Sequence, residues 1–162
     1  MNAMNRERLS TSLLSELFDL EEDAYRLSLR EADRLGSGPP AVALRSVVAH
    51  TNDALEDLPV LAADRSVRIG SAGSLFFDTL HRVRDAIADQ LSDREHGYRR
   101  ALATLHEGID LVRLTHDAAA NEGDDALAAW CERWLDVRER FVADVTRELA
   151  WFAAHPLLAN AA

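Results

Sequence analysis

Residues 13–40 read LLSELFDLEEDAYRLSLREADRLGSGPP, and the period of their apolar positions decides the fold class. Leu13, Leu17, Leu20, Ala24 and Leu27 recur at spacings of three and four, with a second apolar flank of Leu14, Phe18, Tyr25 and Leu29. Such spacings stack side chains on one face of an α-helix, which predicts a helix from about Ser12 to Leu35. Gly36 ends it, and Gly36-Ser37-Gly38-Pro39-Pro40 is a tight connector whose prolines open the next helix. So short a link makes the two helices antiparallel neighbours.

The same pattern continues outward. A second helix from near Pro40 carries Leu44, Val47, Val48, Thr51, Leu55, Leu58, Leu61 and Ala62 on one face. Pro59 interrupts it, which predicts a kink or an early stop, because an interior proline removes a hydrogen bond and clashes with the preceding turn. Ser66–Ser74 holds Gly70, Ser71, Gly73 and Ser74 and reads as a long crossover. A third helix is predicted at about Leu75–Leu91 and a bend at Ser92–Gly97. A fourth follows with Tyr98, Leu102, Leu105, Ile109 and Val112. Asn121–Asp125 is a turn, with Gly123 as terminator and an Asp as the next N-cap. The fifth helix runs to about Ala154, where Pro156 stops it. No strand-like alternation and no repeat of 20–50 residues is visible. Two hairpins of long helices, joined by a crossover with an extra helix, make an all-α antiparallel up-down four-helix bundle with ferritin-like connectivity.

Composition agrees. The chain has 162 residues, 48% hydrophobic and 28% charged, which suits a single domain with a sizeable core. Its formal charge of −10 and the lack of a basic stripe speak against nucleic acid as a partner. No apolar run approaches the length of a membrane span, and Met1–Arg8 lacks the apolar core of a secretory signal, so the expected location is the cytoplasm. The single cysteine, Cys131, excludes an internal disulfide and a thiolate cluster. It sits on an apolar face between Trp130 and Trp134, where a thiol serves as a small core residue.

Site chemistry has to come from acids and histidines. Bundles that hold two metal ions use one Glu from each of two helices and Glu-x-x-His from each of the other two. No Glu-x-x-His occurs here; Asp78 and His81 have that spacing, and His50 and Asp53 have it reversed. Glu21 falls between Leu17 and Ala24 on the first helix, His50 flanks the core stripe of the second, and Glu107 and Asp110 share a face of the fourth. A carboxylate on an apolar face is costly unless paired or metal-bound. These positions are therefore ligand candidates, or else acids that reach the bundle edge and pair with Arg there. His81 with Asp85, His106 with Asp110, and His116 four residues past Val112 leave a hemerythrin-like His/carboxylate centre as a further option, with His116 equally readable as a core histidine. No phosphate loop or nucleophile elbow occurs.

Leu17-Phe18-Asp19-Leu20-Glu21 resembles the Leu-Tyr-Asp-Ala-Glu signature of YciF-like bacterial stress proteins, a ferritin-like branch. His50 with Asp53 resembles a His followed three residues on by Glu in that branch, and Glu107 with Asp110 its paired acids. The resemblance implies a stress-associated protein holding iron or manganese through Glu21, His50, Asp53, Glu107 and Glu139. The last helix departs from the pattern: Val137, Arg138 and Val142 fall near places where ligands belong, leaving Glu132, Glu139 and Asp144. The residues themselves favour a non-catalytic bundle, without catalytic residues or a cofactor, that acts through protein contacts or self-association. The fifth helix carries Leu127, Trp130, Trp134, Leu135, Val137, Phe141, Val142, Val145, Leu149, Trp151 and Phe152, more apolar surface than one bundle face absorbs. That surplus predicts an exposed patch and a homodimer.

Overall fold

The structure, a computed structural model, describes residues 7–69 and 93–159. Four long helices form an all-α bundle: α1 (Glu7–Leu35), α2 (Pro39–Asp64), α3 (Arg94–Glu122) and α4 (Asp125–Arg147). Two short helices, α5 (Leu149–Ala154) and α6 (Pro156–Ala159), follow. The helix predicted at Leu75–Leu91, with Asp78, His81 and Asp85, lies outside the described residues.

The turns form as their residues dictate. Gly36 adopts φ +69 and its amide bonds back to Ala32, closing α1 in the left-handed conformation that favours glycine. Arg45 of α2 donates to the Gly36 carbonyl at 2.7 Å, tying the first hairpin. Gly123 closes α3 at φ +75, and the Asp124 side chain accepts from the Leu127 amide at 3.0 Å, capping α4. Arg65, just past α2, grips the Asp124 carboxylate with two bonds of 2.6 Å, joining the end of one hairpin to the turn of the other.

Three local expectations are corrected. Of the kink or early stop expected at Pro59, the stop does not occur: α2 continues to Asp64, and the proline is exposed, so its ring points to water. The expected bend before Tyr98 is already helical from Arg94. The fifth predicted helix breaks at Glu148, and Pro156 begins a short helix because a first-turn proline has no intrahelical bond to lose.

Long-range bonds define the directions. The Tyr98 hydroxyl at the start of α3 donates to the Val145 carbonyl near the end of α4 at 2.8 Å. The Trp130 indole near the start of α4 donates to Asp57 near the end of α2 at 2.9 Å. Gly97, in the first turn of α3, meets Glu31 near the end of α1. Neighbouring helices are therefore antiparallel: α1 packs on α2 and α3, and α4 packs on α3 and α2. α2 finishes at the end of the bundle where α3 also finishes, so α3 begins at the opposite end. α1 and α4 face each other across the central axis.

The apolar surplus of the last long helix is taken up within the chain. Leu127, Trp130, Cys131, Trp134, Val142, Val145 and Phe152 are buried, and Leu135, Val137, Phe141, Leu149 and Trp151 are partly buried. Trp151 stacks on His155 at 4.3 Å and lies beside Gly38. None of these side chains is exposed, so the patch expected on that helix does not form. Among the described residues, no helix is long and apolar enough to cross a membrane.

Candidate functional site

Along α1 the buried line runs Leu14, Leu17, Glu21, Ala24, Ser28, Glu31, so two carboxylates occupy core positions of one helix. Along α4 the corresponding line runs Leu127, Cys131, Trp134, Arg138, Val142, Val145. Glu21 and Arg138 meet on the bundle axis, both fully buried, with Nη2 of the arginine donating to Oε2 at 2.7 Å. α2 supplies the rest: Nη2 also donates to Thr51 Oγ1 at 3.1 Å, and Nε donates to His50 Nδ1 at 3.1 Å. The Trp134 ring lies 4.4 Å from the guanidinium carbon, where its π face attracts the charge. Gly108 of α3 closes the fourth side, next to Trp134 and Glu21. Groups of α1 and α2 thus meet the guanidinium of α4, and α3 packs against its carboxylate and indole neighbours through Gly108.

The electrostatics follow from burial. Desolvation raises the Glu21 carboxyl above its ordinary value, opposed by the charge and hydrogen bonds of Arg138 and by Thr51. Desolvation likewise lowers Arg138, opposed by Glu21. A guanidinium starts so far above neutrality that it keeps its proton, and its contact favours the ionised carboxylate. His50 is pushed down to about 4, first by burial and then by Arg138. It is neutral at pH 7, with Nδ1 as the acceptor and the proton on Nε2. Its ring packs on Trp134 and Phe141.

Of the five candidate ligands, the structure brings together Glu21 and His50. Asp53, Glu107 and Glu139 are exposed. Glu139 pairs with Arg113 at 2.8 Å across α3 and α4. Among the described residues no group of three or more His, Cys, Asp or Glu is arranged to hold a metal. The two residues that do converge already face a full positive charge, and a divalent ion beside it would be repelled. As they stand, these side chains do not fit an iron or manganese centre. Glu21 does pair with an arginine, but on the axis and not at the edge. His116 sits at the α3–α4 edge, its ring nitrogens 3.2 Å from Asp117 and 3.3 Å from Glu132, and is not a core residue. The bond to Asp117 is the largest of the influences that raise its pKa. His106 is exposed. Cys131 is buried, and desolvation pushes its thiol up to about 12, so it stays protonated and unreactive.

Sequence reasoning missed Arg138 as a partner, together with Thr51, Trp134 and Gly108. The signal was present: an arginine at the i, i+4 position of an apolar stripe, with a glutamate in the stripe of another helix. It also passed over Glu31, which is fully buried near the end of α1. Arg30 Nε donates to its Oε1 at 3.1 Å and Arg34 Nη1 to its Oε2 at 3.0 Å. Its carboxyl rests against Gly97 in the first turn of α3, the positive end of that helix.

No protein-family model matches the chain, and no curated protein matches it. A solved structure does: the crystal structure of a protein from Xanthomonas campestris pv. campestris, with a TM-score of 0.76 over 94% of this chain and 96% of that one. Identity between the two is 16%, so the likeness is one of fold alone, and what the two chains share is the helical bundle.

Proposed function

We propose that this chain is a non-catalytic helical bundle that works through contacts made by its surface, including contacts with a second copy of itself. One observation carries the reading: the polar chemistry at the bundle axis is consumed internally, with Glu21, His50 and Thr51 all committed to Arg138. Glu21, Thr51 and Arg138 are fully buried, so the acid, the hydroxyl and the cation of that site are closed off from a substrate. Contact chemistry remains outside. Leu9, Val60 and Leu114 are large apolar side chains, each at least half exposed, and all belong to the half of the bundle in which α2 and α3 finish. Exposed apolar groups are where chains associate.

Sedimentation equilibrium at micromolar concentration tests the reading. The expected result is a species heavier than 18.0 kDa that returns to 18.0 kDa when Val60 and Leu114 are both changed to Glu. A single 18.0 kDa species throughout removes self-association. Iron or manganese retained by the wild-type protein after desalting would instead favour the metal-binding stress protein that the α1 motif resembles.

A further inference from the structure

Tyr98, in the first turn of α3, is fully buried, and its hydroxyl reaches the last turn of α4 to donate to the Val145 carbonyl at 2.8 Å. In an uninterrupted helix that carbonyl accepts from the Leu149 amide, four residues on. The apolar stripe Arg138, Val142, Val145 continues in register through Leu149 and Phe152, so the pattern itself calls for no break at Glu148. The ladder breaks there all the same. The Glu148 amide still bonds four residues back, to Asp144 at 3.2 Å, but the Trp151 amide bonds three back, to Glu148 at 3.0 Å. Thr146 adds a second intrusion, its hydroxyl donating to the Val142 carbonyl at 2.7 Å. Side chains that take main-chain acceptors in a helix bend or end it.

What lies beyond the break is lightly held. α5 has six residues and α6 four, both far shorter than a helix that stands alone in water. From Leu149 to Leu158, Phe152 is buried, Leu149 and Trp151 are partly buried, and every other side chain is exposed, Leu157 at 90%. Among the described residues, its hydrogen bonds close within the segment or on Glu148; His155, for example, bonds through Nδ1 to the Trp151 carbonyl at 2.8 Å and through its amide to Phe152 at 3.1 Å. Its hold on the bundle is aromatic. Phe152 lies against the Tyr98 ring with centroids 5.2 Å apart, and Trp151 lies beside Gly38 at the start of α2. One tyrosine thus carries both the bond that interrupts the helix and the ring on which the next turn rests.

We infer that residues 149–158 are a cap on this end of the bundle that opens as a unit while α1–α4 stay folded, with Glu148 as its hinge and Tyr98 as its latch. Closed, the Tyr98 hydroxyl holds the Val145 carbonyl and Phe152 sits on the tyrosine ring. Open, the Leu149 amide takes that carbonyl, α4 runs on, and Phe152 leaves the ring. The inference does not depend on the proposed self-association, whose exposed groups lie in the opposite half of the bundle.

Residue-resolved hydrogen exchange on the full chain tests it, with wild type, Tyr98→Phe and Val112→Ala, the last altering a buried side chain in the half of α3 away from Tyr98. In the wild type, the Trp151 and His155 amides are expected to exchange about 100-fold faster than the slowest amides of α1–α4. Dilute urea should leave their rates unchanged, because a local opening exposes little surface. Tyr98→Phe should speed them about 2–10-fold, the share of one hydrogen bond, and slow the Leu149 amide, which gains the carbonyl. Val112→Ala should speed the slowest core amides and leave the cap as it was.

Cap amides as slow as the core overturn the inference, as does a Val112→Ala that speeds both alike, since the segment then opens with the whole fold. Cap amides that keep their wild-type rate in Tyr98→Phe overturn it too, and so does a Leu149 amide that quickens with its neighbours. Should Tyr98→Phe not fold, Phe152→Ala makes the same comparison by removing the ring contact: the cap amides should quicken while the core keeps its rates, and equal rates in cap and wild type defeat the latch. Sedimentation decides self-association separately, so either reading can fail without the other.

Discussion

Glu21 and Glu31 lie ten residues apart on the buried line of α1, and each is faced by a glycine of α3. The chain meets the cost of the two carboxylates in opposite ways. Glu21 is neutralised across the bundle axis by Arg138, a partner that is itself fully buried. Glu31 is neutralised from its own helix by Arg30 and Arg34, whose side chains remain 30% and 21% exposed. The first solution desolvates both charges and depends on the packing of four helices; the second leaves the cations in contact with water and depends on one. Breaking a pair of the first kind strands a charge in the core, whereas weakening one of the second leaves the acid a remaining partner.

The largest expected effect sharpens that contrast. Arg138→Met should lose about 3–5 kcal/mol in urea unfolding, and Arg34→Met less than about 1 kcal/mol. Adding Glu21→Leu to Arg138→Met should restore most of the loss, because two apolar groups strand no charge. Equal losses from the two arginine variants would erase the distinction between the sites.

The facing glycines give the next effect. A β-carbon at Gly97 would overlap the Glu31 carboxyl, with even Oε1, the farthest of three contacting atoms, at 2.9 Å. Gly97→Ala should therefore cost about 1–3 kcal/mol by forcing the acid or α3 to shift. A thermal melt no lower than wild type would show that Glu31 has room to move.

Acid should weaken the axis through His50. Its folded pKa is pushed from 6.5 down to about 4, so below pH 6.5 the unfolded chain binds a proton that the folded chain refuses. Stability falls as pH drops from 6.5 toward 4 and gains no further loss from this group below that. The ring is only half-buried, and the contribution is on the order of 1–2 kcal/mol once water is allowed for. Unfolding curves for His50→Gln should lack this share of the slope; an unchanged slope would place the titration elsewhere.

Gly108→Ala has the smallest effect and the opposite sign. A β-carbon there meets Trp134 at 3.6 Å and Glu21 Oε1 at 3.8 Å, which is ordinary contact. The better helix former should add about 0.5–1 kcal/mol. A loss comparable with that of Gly97→Ala would mean that the axis is packed as tightly as the Glu31 site.

What the sequence determined by itself was local. The stripes at three and four residues made the helices, Gly36 and Gly123 ended two of them, Asp124 capped another, and the short Gly36–Pro40 link set the first hairpin. Arg34, three residues past Glu31, could likewise be read as its neighbour. Tertiary structure alone decided that Glu21 faces Arg138, 117 residues away, with His50 and Thr51 completing the ring. It also decided that the aromatic groups of α4 and α5 turn inward. The physical reason is that period and capping act within a few residues of one helix. Which side chains meet across an axis depends on the rotation and axial offset of four helices, settled only when their whole faces pack together.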